Sequence, residues 1–152
     1  MRKILLTVSA FIFVIVFASC KKSNSSSGSN AKTVENLSGS YKITAINVFA
    51  LGTNFDEYAS LKDCEKDNII KLDNTLTAEF NDVGIVCSPS EESTGTWSLS
   101  SNSDSVSVYG LPAYPNGITG FITSWNGTTL VLTANEVISS QPSTITLTLF
   151  KQ

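Results

Sequence analysis

The chain has 152 residues, of which 15% are charged, with 10 Lys and Arg, 13 Asp and Glu, and no histidine. This length accommodates one domain of ordinary size rather than two. The absence of histidine argues against chemistry that depends on a base titrating near neutral pH. Because Arg2 is the single arginine, the chain also lacks the clustered basic charge that nucleic-acid binding requires.

The N-terminus has the pattern of an export signal. Met1, Arg2 and Lys3 give a short basic start, and the range 4–18 contains no charge. This apolar stretch is shorter than the ~20 residues that span a bilayer. Small residues follow it, as they do at a signal-peptide cleavage site. We therefore predict a secretory signal peptide at 1–19.

Ala18, Ser19 and Cys20 resemble the lipobox of bacterial lipoproteins. In that family the cysteine is acylated and becomes the first mature residue, although Phe17 stands where Leu or Val is usual. The cysteine count favours this interpretation over an ordinary signal peptide, because lipidation of Cys20 leaves two of three cysteines to form one disulfide. Several acyl chains, at ~0.8 kcal/mol per buried methylene, hold a protein firmly on a membrane.

Residues 20–36 are rich in Ser, Asn and Gly and have no apolar period. This composition predicts a flexible tether before a domain at 37–152. The stretch after Cys20 is basic and polar, without the acidic cluster that directs some lipoproteins to the cell surface. We expect the lipid to anchor the protein to the outer membrane on its periplasmic face, with the cell surface as the alternative.

Beyond the tether, short runs of alternating apolar and polar residues are separated by turn signals. Asp73 and Asn74 suit a tight hairpin, and Asn126 with Gly127 is a strong short hairpin signal. The clearest alternation lies in 144–150. Nine strands are predicted, at 41–45 running on toward 49, 68–72, 75–80, 85–87, 94–99, 105–109, 118–125, 128–133 and 144–150.

This pattern predicts an antiparallel all-β domain with one buried and one solvated face. We expect an up-and-down β-barrel of eight to nine strands, because closure removes the sheet edges that would otherwise pair with other chains. The main alternative is an immunoglobulin-like β-sandwich, which is marked by the order Cys, Trp, Cys. Here Trp97 lies outside the interval from Cys64 to Cys87.

One short helix is predicted at 54–62, where the capping residue Asn54 is followed three positions later by Glu57. It would be either a lid over one barrel end or a simple connector. Cys64 and Cys87 are predicted to form a disulfide in the oxidising compartment, which would stabilise the fold by roughly 3 kcal/mol. The absence of histidine and of a second cysteine pair argues against a metal site.

Three local motifs occur in a recognisable order. The domain opens with Leu-Ser-Gly-Ser-Tyr at 37–41, Cys-Glu-Lys-Asp-Asn at 64–68 precedes a strand pair, and Gly-Thr-Trp-Ser-Leu at 95–99 follows the last cysteine. Together they resemble the lipocalin-like domain lipoproteins of Gram-negative bacteria over about residues 37–150, with Tyr41 where that family usually has Trp. The resemblance implies an up-and-down barrel with an internal pocket for a small apolar ligand.

A barrel of about eight strands holds either its own side chains or one small ligand. For each inward-facing residue, plain core packing is the alternative to ligand contact. Leu111, Tyr114 and Trp125 are candidates for the barrel mouth or for a partner surface. The candidate lining residues are Tyr41, Ile43, Phe80, Trp97, Val106, Val108, Phe121, Leu130, Leu132, Ile145 and Leu147.

The sequence offers little support for catalysis. Adjacent carboxylates, as at Glu91 and Glu92, are typical of solvated surface acids, and no base accompanies them. We therefore expect no enzyme activity, no cofactor and no metal. The favoured function is a membrane-anchored carrier of a small hydrophobic molecule. The alternative is a protein-interaction module, such as an inhibitor or an envelope-complex subunit, whose partner the sequence does not identify.

Overall fold

The computed structural model describes residues 30–110 and 116–152. The predicted signal peptide, Cys20 and the first part of the tether lie outside these ranges, as do Leu111 and Tyr114. Within them, no helix has the length and apolar character needed to span a membrane. The elements in chain order are α1 (Val34–Leu37), β1 (Gly39–Ala50), β2 (Thr53–Asp56), α2 (Glu57–Ser60), α3 (Asp63–Lys66), β3 (Ile69–Leu72), β4 (Thr77–Asn81), β5 (Ser93–Leu99), β6 (Ser105–Tyr109), β7 (Ile118–Trp125), β8 (Thr129–Ile138) and β9 (Gln141–Lys151).

Eight of these strands close into one antiparallel barrel. Strands β3 to β9 follow β1 in order around the sheet, and the pairing of β1 with β9 joins its two ends. The extra strand β2 folds back on the far part of β1, from the Asn47–Asp56 pair to the Ala50–Thr53 pair. The prediction of an up-and-down barrel is confirmed, since the strands of the described chain form one closed sheet rather than two stacked sheets.

The register gives the barrel two different ends. The end called here the closed end carries α1 and the turns at 73–76, 100–104 and 126–128. The opposite end, called here the mouth, carries the β1–β2 hairpin, α2, α3, the loop at 82–92 and the turn at 139–140. Strands β1, β8 and β9 are the longest, and they run the full distance between the two ends.

The core fills the closed end, and α1 seals it as a plug. Leu37 of α1 is completely buried, and Lys151 Nζ donates a 2.8 Å hydrogen bond to the carbonyl oxygen of Asn36. Because the first three residues of α1 lie within the range predicted as tether, the folded domain begins before residue 37. The core cluster consists of Leu37, Tyr41, Leu72, Ala78, Trp97, Val106, Ile122, Trp125, Leu130 and Leu149.

Two register shifts interrupt the alternation of inner and outer positions. One lies in β1 between Ile43 and Ala45, and the other lies in β7 between Ile122 and Ser124. An extra residue in one strand of a pair displaces the alternation by one position. As a result, Ile122 and Trp125 both belong to the core although they are three positions apart.

Eight of the nine predicted strands are present, and the prediction at 85–87 is wrong. Ile85 is 60% exposed. Its backbone N–H donates to Asp67 Oδ2 at 2.8 Å, and the N–H of Cys87 donates to the carboxylate of Asp82 at 3.1 Å. These side chains satisfy the backbone donors that a neighbouring strand would otherwise have to pair.

The short helix predicted at 54–62 is present only in part, as α2. Its first residues belong to β2, and α2 begins only at Glu57. Asp56 rather than Asn54 caps this turn, since Asp56 Oδ1 accepts a 3.1 Å hydrogen bond from the N–H of Ala59. The chain then breaks before α3, so the single two-turn helix is replaced by two separate turns.

Candidate functional site

Side chains on the inner face of the barrel are fully buried near the closed end and partly exposed toward the mouth. Near the closed end, Tyr41, Trp97 and Leu130 are at most 1% exposed. Toward the mouth, apolar side chains on the same face are only half-buried. These half-buried residues come from seven strands and are Ile46, Ile70, Phe80, Val108, Ile118, Leu132, Ile145 and Leu147.

Cross-strand pairing shows that these side chains point into the barrel. Ile145 pairs with Val48 on one side and with Ala134 on the other. Val48 and Ala134 are 8% and 6% exposed, and directly paired residues project from the same face of a sheet. An inward side chain of a closed barrel meets solvent only through an open interior. The mouth half therefore contains an apolar hollow above a floor formed by the core cluster.

The predicted lining residues lie at two depths inside the barrel. Those in the floor are Tyr41, Trp97, Val106 and Leu130. Those that are half-buried on the inner face are Ile43, Phe80, Val108, Leu132, Ile145 and Leu147. The predicted set therefore spans both the floor and the walls of the hollow, with one exception on β7.

Phe121 is that exception, and its predicted inward orientation is wrong. The ring is 52% exposed, whereas Ile122 is 7% exposed. The inner position on this part of β7 belongs to Gly120, where an added Cβ would lie 3.0 Å from the Cβ of Leu132. The equal parity of Ile118 and Ile122 is the sequence signal that identifies the inner face.

Three residues of the hollow are missing from the predicted set: Ile46, Ile70 and Ile118. Ile70 lies two positions before the buried Leu72 and so on the same face of β3, and the period of two could have identified it. Ile46 could not be found in this way, because the register shift after Ile43 moves it onto the inner face.

Trp125 lies at the closed end, and its prediction as a mouth or partner residue is wrong. It is 9% exposed, and Lys151 Nζ lies 5.8 Å from its ring centre. The same nitrogen lies 6.0 Å from the ring centre of Tyr41. The register shift in β7 turns Trp125 into the core.

The predicted disulfide between Cys64 and Cys87 is present, and it joins α3 to the loop after β4. The buried carboxylate of Asp82 accepts hydrogen bonds from the backbone N–H groups of Cys87 and Glu91, at 3.1 and 3.2 Å. The amide nitrogen of Asn68, in the orientation that satisfies both acceptors, lies 3.1 Å from the Cys64 carbonyl oxygen and 3.3 Å from Asp82 Oδ1. These contacts hold one side of the mouth in place.

A pocket of about 360 Å³ opens on the rim of the mouth. It lies where β1 and β8 end and where β9 begins. Its apolar side chains are strongly exposed, with Leu51 at 77% and Val137 at 72%. The pocket is lined by Phe49, Ala50, Leu51, Asn135, Glu136, Val137, Pro142, Ser143 and Thr144.

Apart from Tyr41 in the floor, the titratable groups with shifted pKa values lie outside the hollow. A hydrogen bond from a nearby backbone N–H lowers the pKa of Glu65 and of Asp73, and one from the Ser100 hydroxyl lowers that of Asp104. Burial raises the pKa of Tyr41 in the floor. No group of acidic or cysteine side chains within 30–110 and 116–152 is placed to hold a metal ion. The arrangement is suited to enclosing an apolar molecule.

Comparison with known proteins agrees with this geometry. A family profile described as a lipocalin-like domain matches residues 37–148, from the end of α1 into β9. No curated protein matches the chain. The profile covers well over half of the chain and coincides with the closed eight-stranded barrel, so the protein belongs to the lipocalin-like domain family.

Proposed function

We propose that the protein binds a small hydrophobic molecule in the mouth half of its barrel and carries it at a membrane to which Cys20 anchors the chain. The contrast between the buried floor and the half-buried inner walls supports the binding function. A ligand that covers about 200 Å² of this wall gains about 5 kcal/mol from apolar burial alone. Binding of this kind needs no catalytic group.

The walls supply continuous apolar surface across neighbouring strands. Ile46 pairs with Leu147, which in turn pairs with Leu132. The next row toward the mouth contains Ile145. Apolar pockets with few polar groups are the usual form of small-molecule binding sites.

A filling substitution tests the binding function. The probe is N-phenyl-1-naphthylamine, whose fluorescence rises in an apolar site. Ile145→Trp places a large ring in the hollow and should weaken probe binding at least tenfold. Thr146→Trp, at the adjacent outward position, should leave the affinity unchanged, and circular dichroism should show that both variants are folded. Equal affinity of the two variants, or no binding by the wild-type protein, would remove the binding function.

The membrane anchor is supported by the sequence around Cys20, which lies outside the described residues. We propose attachment to the outer membrane with the domain on the periplasmic side, and the cell surface is the alternative. Labelled palmitate should be incorporated into the wild-type chain in bacterial cells and not into Cys20→Ser. Protease protection in intact cells distinguishes the two sides of the membrane.

The exposed rim pocket favours a second candidate function, that of a protein-interaction module. Leu51 and Val137 border this pocket and are the most exposed of its apolar side chains. Crosslinking in envelope extracts should capture a partner with the wild-type protein and not with a Leu51→Asp and Val137→Asp double variant that still binds the probe. The participation of Leu111 and Tyr114 in such a surface stays a prediction.

A further inference from the structure

We infer that the ligand of the apolar hollow carries a positively charged group, which Glu136 recognises at the mouth. This inference rests on the proposed binding function and names the chemical class of ligand for the same site. Three observations support it: the position of Glu136, the contacts of the two lysines of the mouth region, and the distribution of charge along the barrel.

Glu136 is the outermost member of an inward-facing row on β8. This strand pairs with β9 without a register shift, so Leu132, Ala134 and Glu136 share the inner face with the completely buried Leu130. Glu136 is half-buried and pairs with Ser143, which is 5% exposed. The row is apolar as far as Ala134 and ends in a carboxylate at the rim.

The lysines of the mouth region make contacts with residues other than Glu136. Within the part of the chain that the structure describes, neither ion pair involves Glu136. The two lysines of the mouth region are Lys62, which pairs with Glu65 at 3.2 Å, and Lys66, whose Nζ lies 6.0 Å from the ring centre of Tyr58. A ligand that covers Glu136 would bury its charge, and this burial is unfavourable unless the ligand itself supplies a cation.

The net charge of the domain is concentrated around the mouth. The segments that form this end, 45–69, 81–93 and 135–143, contain nine acidic residues and two lysines, a formal charge of −7. The rest of the chain from residue 30 onward contains four acidic residues and four lysines. The entrance therefore attracts cationic molecules and repels anionic ones before any contact is made.

The test compares three ligands that share one tail: dodecylammonium, dodecanol and dodecanoate. Each ligand is titrated, below its micelle concentration, into the protein with bound N-phenyl-1-naphthylamine at neutral pH and low salt. The affinity of the ligand is obtained from the loss of probe fluorescence. We expect dodecylammonium to bind at least tenfold more tightly than dodecanoate, with dodecanol between them. The ratio should shrink at about 1 M salt, where charges are strongly screened.

Glu136→Gln should reduce the ratio at least threefold, because it keeps the shape of the side chain and removes its charge. Glu35→Gln, at the closed end, is the matched control and should leave the ratio unchanged. If dodecanol binds but the two charged ligands bind equally, or dodecanoate binds best, the charge inference fails while the binding function stands. If none of the three displaces the bound probe, the charge inference fails, whereas the binding function fails only if the wild-type protein does not bind the probe or Ile145→Trp leaves its affinity unchanged. A preference that survives in Glu136→Gln would overturn the assignment to this residue.

Discussion

The hydroxyl group of Tyr41 donates a 2.6 Å hydrogen bond to the carbonyl oxygen of Leu37, four residues earlier. Both residues are completely buried, and the bond joins the plug to the first strand. A buried tyrosine hydroxyl needs such a partner. Tyr41 therefore supplies an aromatic side chain to the floor and adds a direct link to α1.

Removal of this hydroxyl should destabilise the closed end. Tyr41→Phe leaves the Leu37 carbonyl oxygen without this partner in the core, at an expected cost of about 1–2 kcal/mol in the free energy of unfolding. Urea denaturation measures the change. Tyr109→Phe is the matched control, because the Tyr109 side chain is 48% exposed, and it should change stability little. Equal effects of the two substitutions would show that the bond does not stabilise the fold.

Lys151 should stabilise the closed end through its charged ammonium group as well as through the apolar part of its side chain. Its ammonium group bonds to the Asn36 carbonyl oxygen and lies near the rings of Tyr41 and Trp125. Lys151→Met retains the apolar stem and should cost about 1–2 kcal/mol. Lys42→Met, on β1, is the comparison, and an equal loss there would contradict a specific role for Lys151.

Reduction of the disulfide should weaken both the fold and the mouth. Cys64 and Cys87 are 23 positions apart, and the loss of this crosslink should cost roughly 3 kcal/mol in the chain-entropy model. Urea denaturation with and without reductant measures this loss, and probe affinity should fall several-fold because the loop after β4 lies at the mouth. In a Cys64→Ala and Cys87→Ala double variant, the reductant should have no further effect. A wild-type protein that is indifferent to reductant would contradict the prediction.

Stability should fall in acid partly because of Asp73. Its carboxylate accepts 2.9 Å hydrogen bonds from the backbone N–H and the hydroxyl of Thr75, and the backbone bond is the main reason that its pKa is lowered from the ordinary 3.8. Its contribution is therefore complete above the unfolded-state pKa and is lost as the pH falls through the lower folded-state pKa. Asp73→Asn should make the free energy of unfolding less pH-dependent in this range. Urea denaturation at several pH values measures the slope, and identical slopes for the two proteins would contradict the assignment.

The regular strands can be predicted from the sequence because their signal is local. In β9, Ile145 and Leu147 alternate with threonines, and this period places them on one face whatever the neighbouring strand contains. β2 has no such signal, since all four of its residues are exposed, and it forms by folding back on β1. The segment 85–87 is apolar, but Asp67, which is distant in sequence, accepts a hydrogen bond from its backbone.

The sequence predicts which residues form the candidate site more fully than it predicts the directions in which their side chains point. Phe121 is predicted to point inward, but the inner position beside Leu132 is taken by Gly120, where an added Cβ would lie 3.0 Å from the Cβ of Leu132. The inward turn of Trp125 depends on a register shift in β7 that leaves no clear local mark in the sequence. The rim pocket is a tertiary feature, because it forms only where the ends of β1, β8 and β9 meet.

The chain enters the barrel at its closed end, opposite the mouth through which a ligand is proposed to pass. Lys32, just before α1, donates a 3.4 Å hydrogen bond to the carbonyl oxygen of Ile122 at the closed end. A lipid on Cys20 would thus attach the domain through its plugged end, and the opening would lie at the other end of β1, up to about 40 Å away along its 12 residues. The attachment point would then leave the mouth unobstructed by the anchored end of the chain.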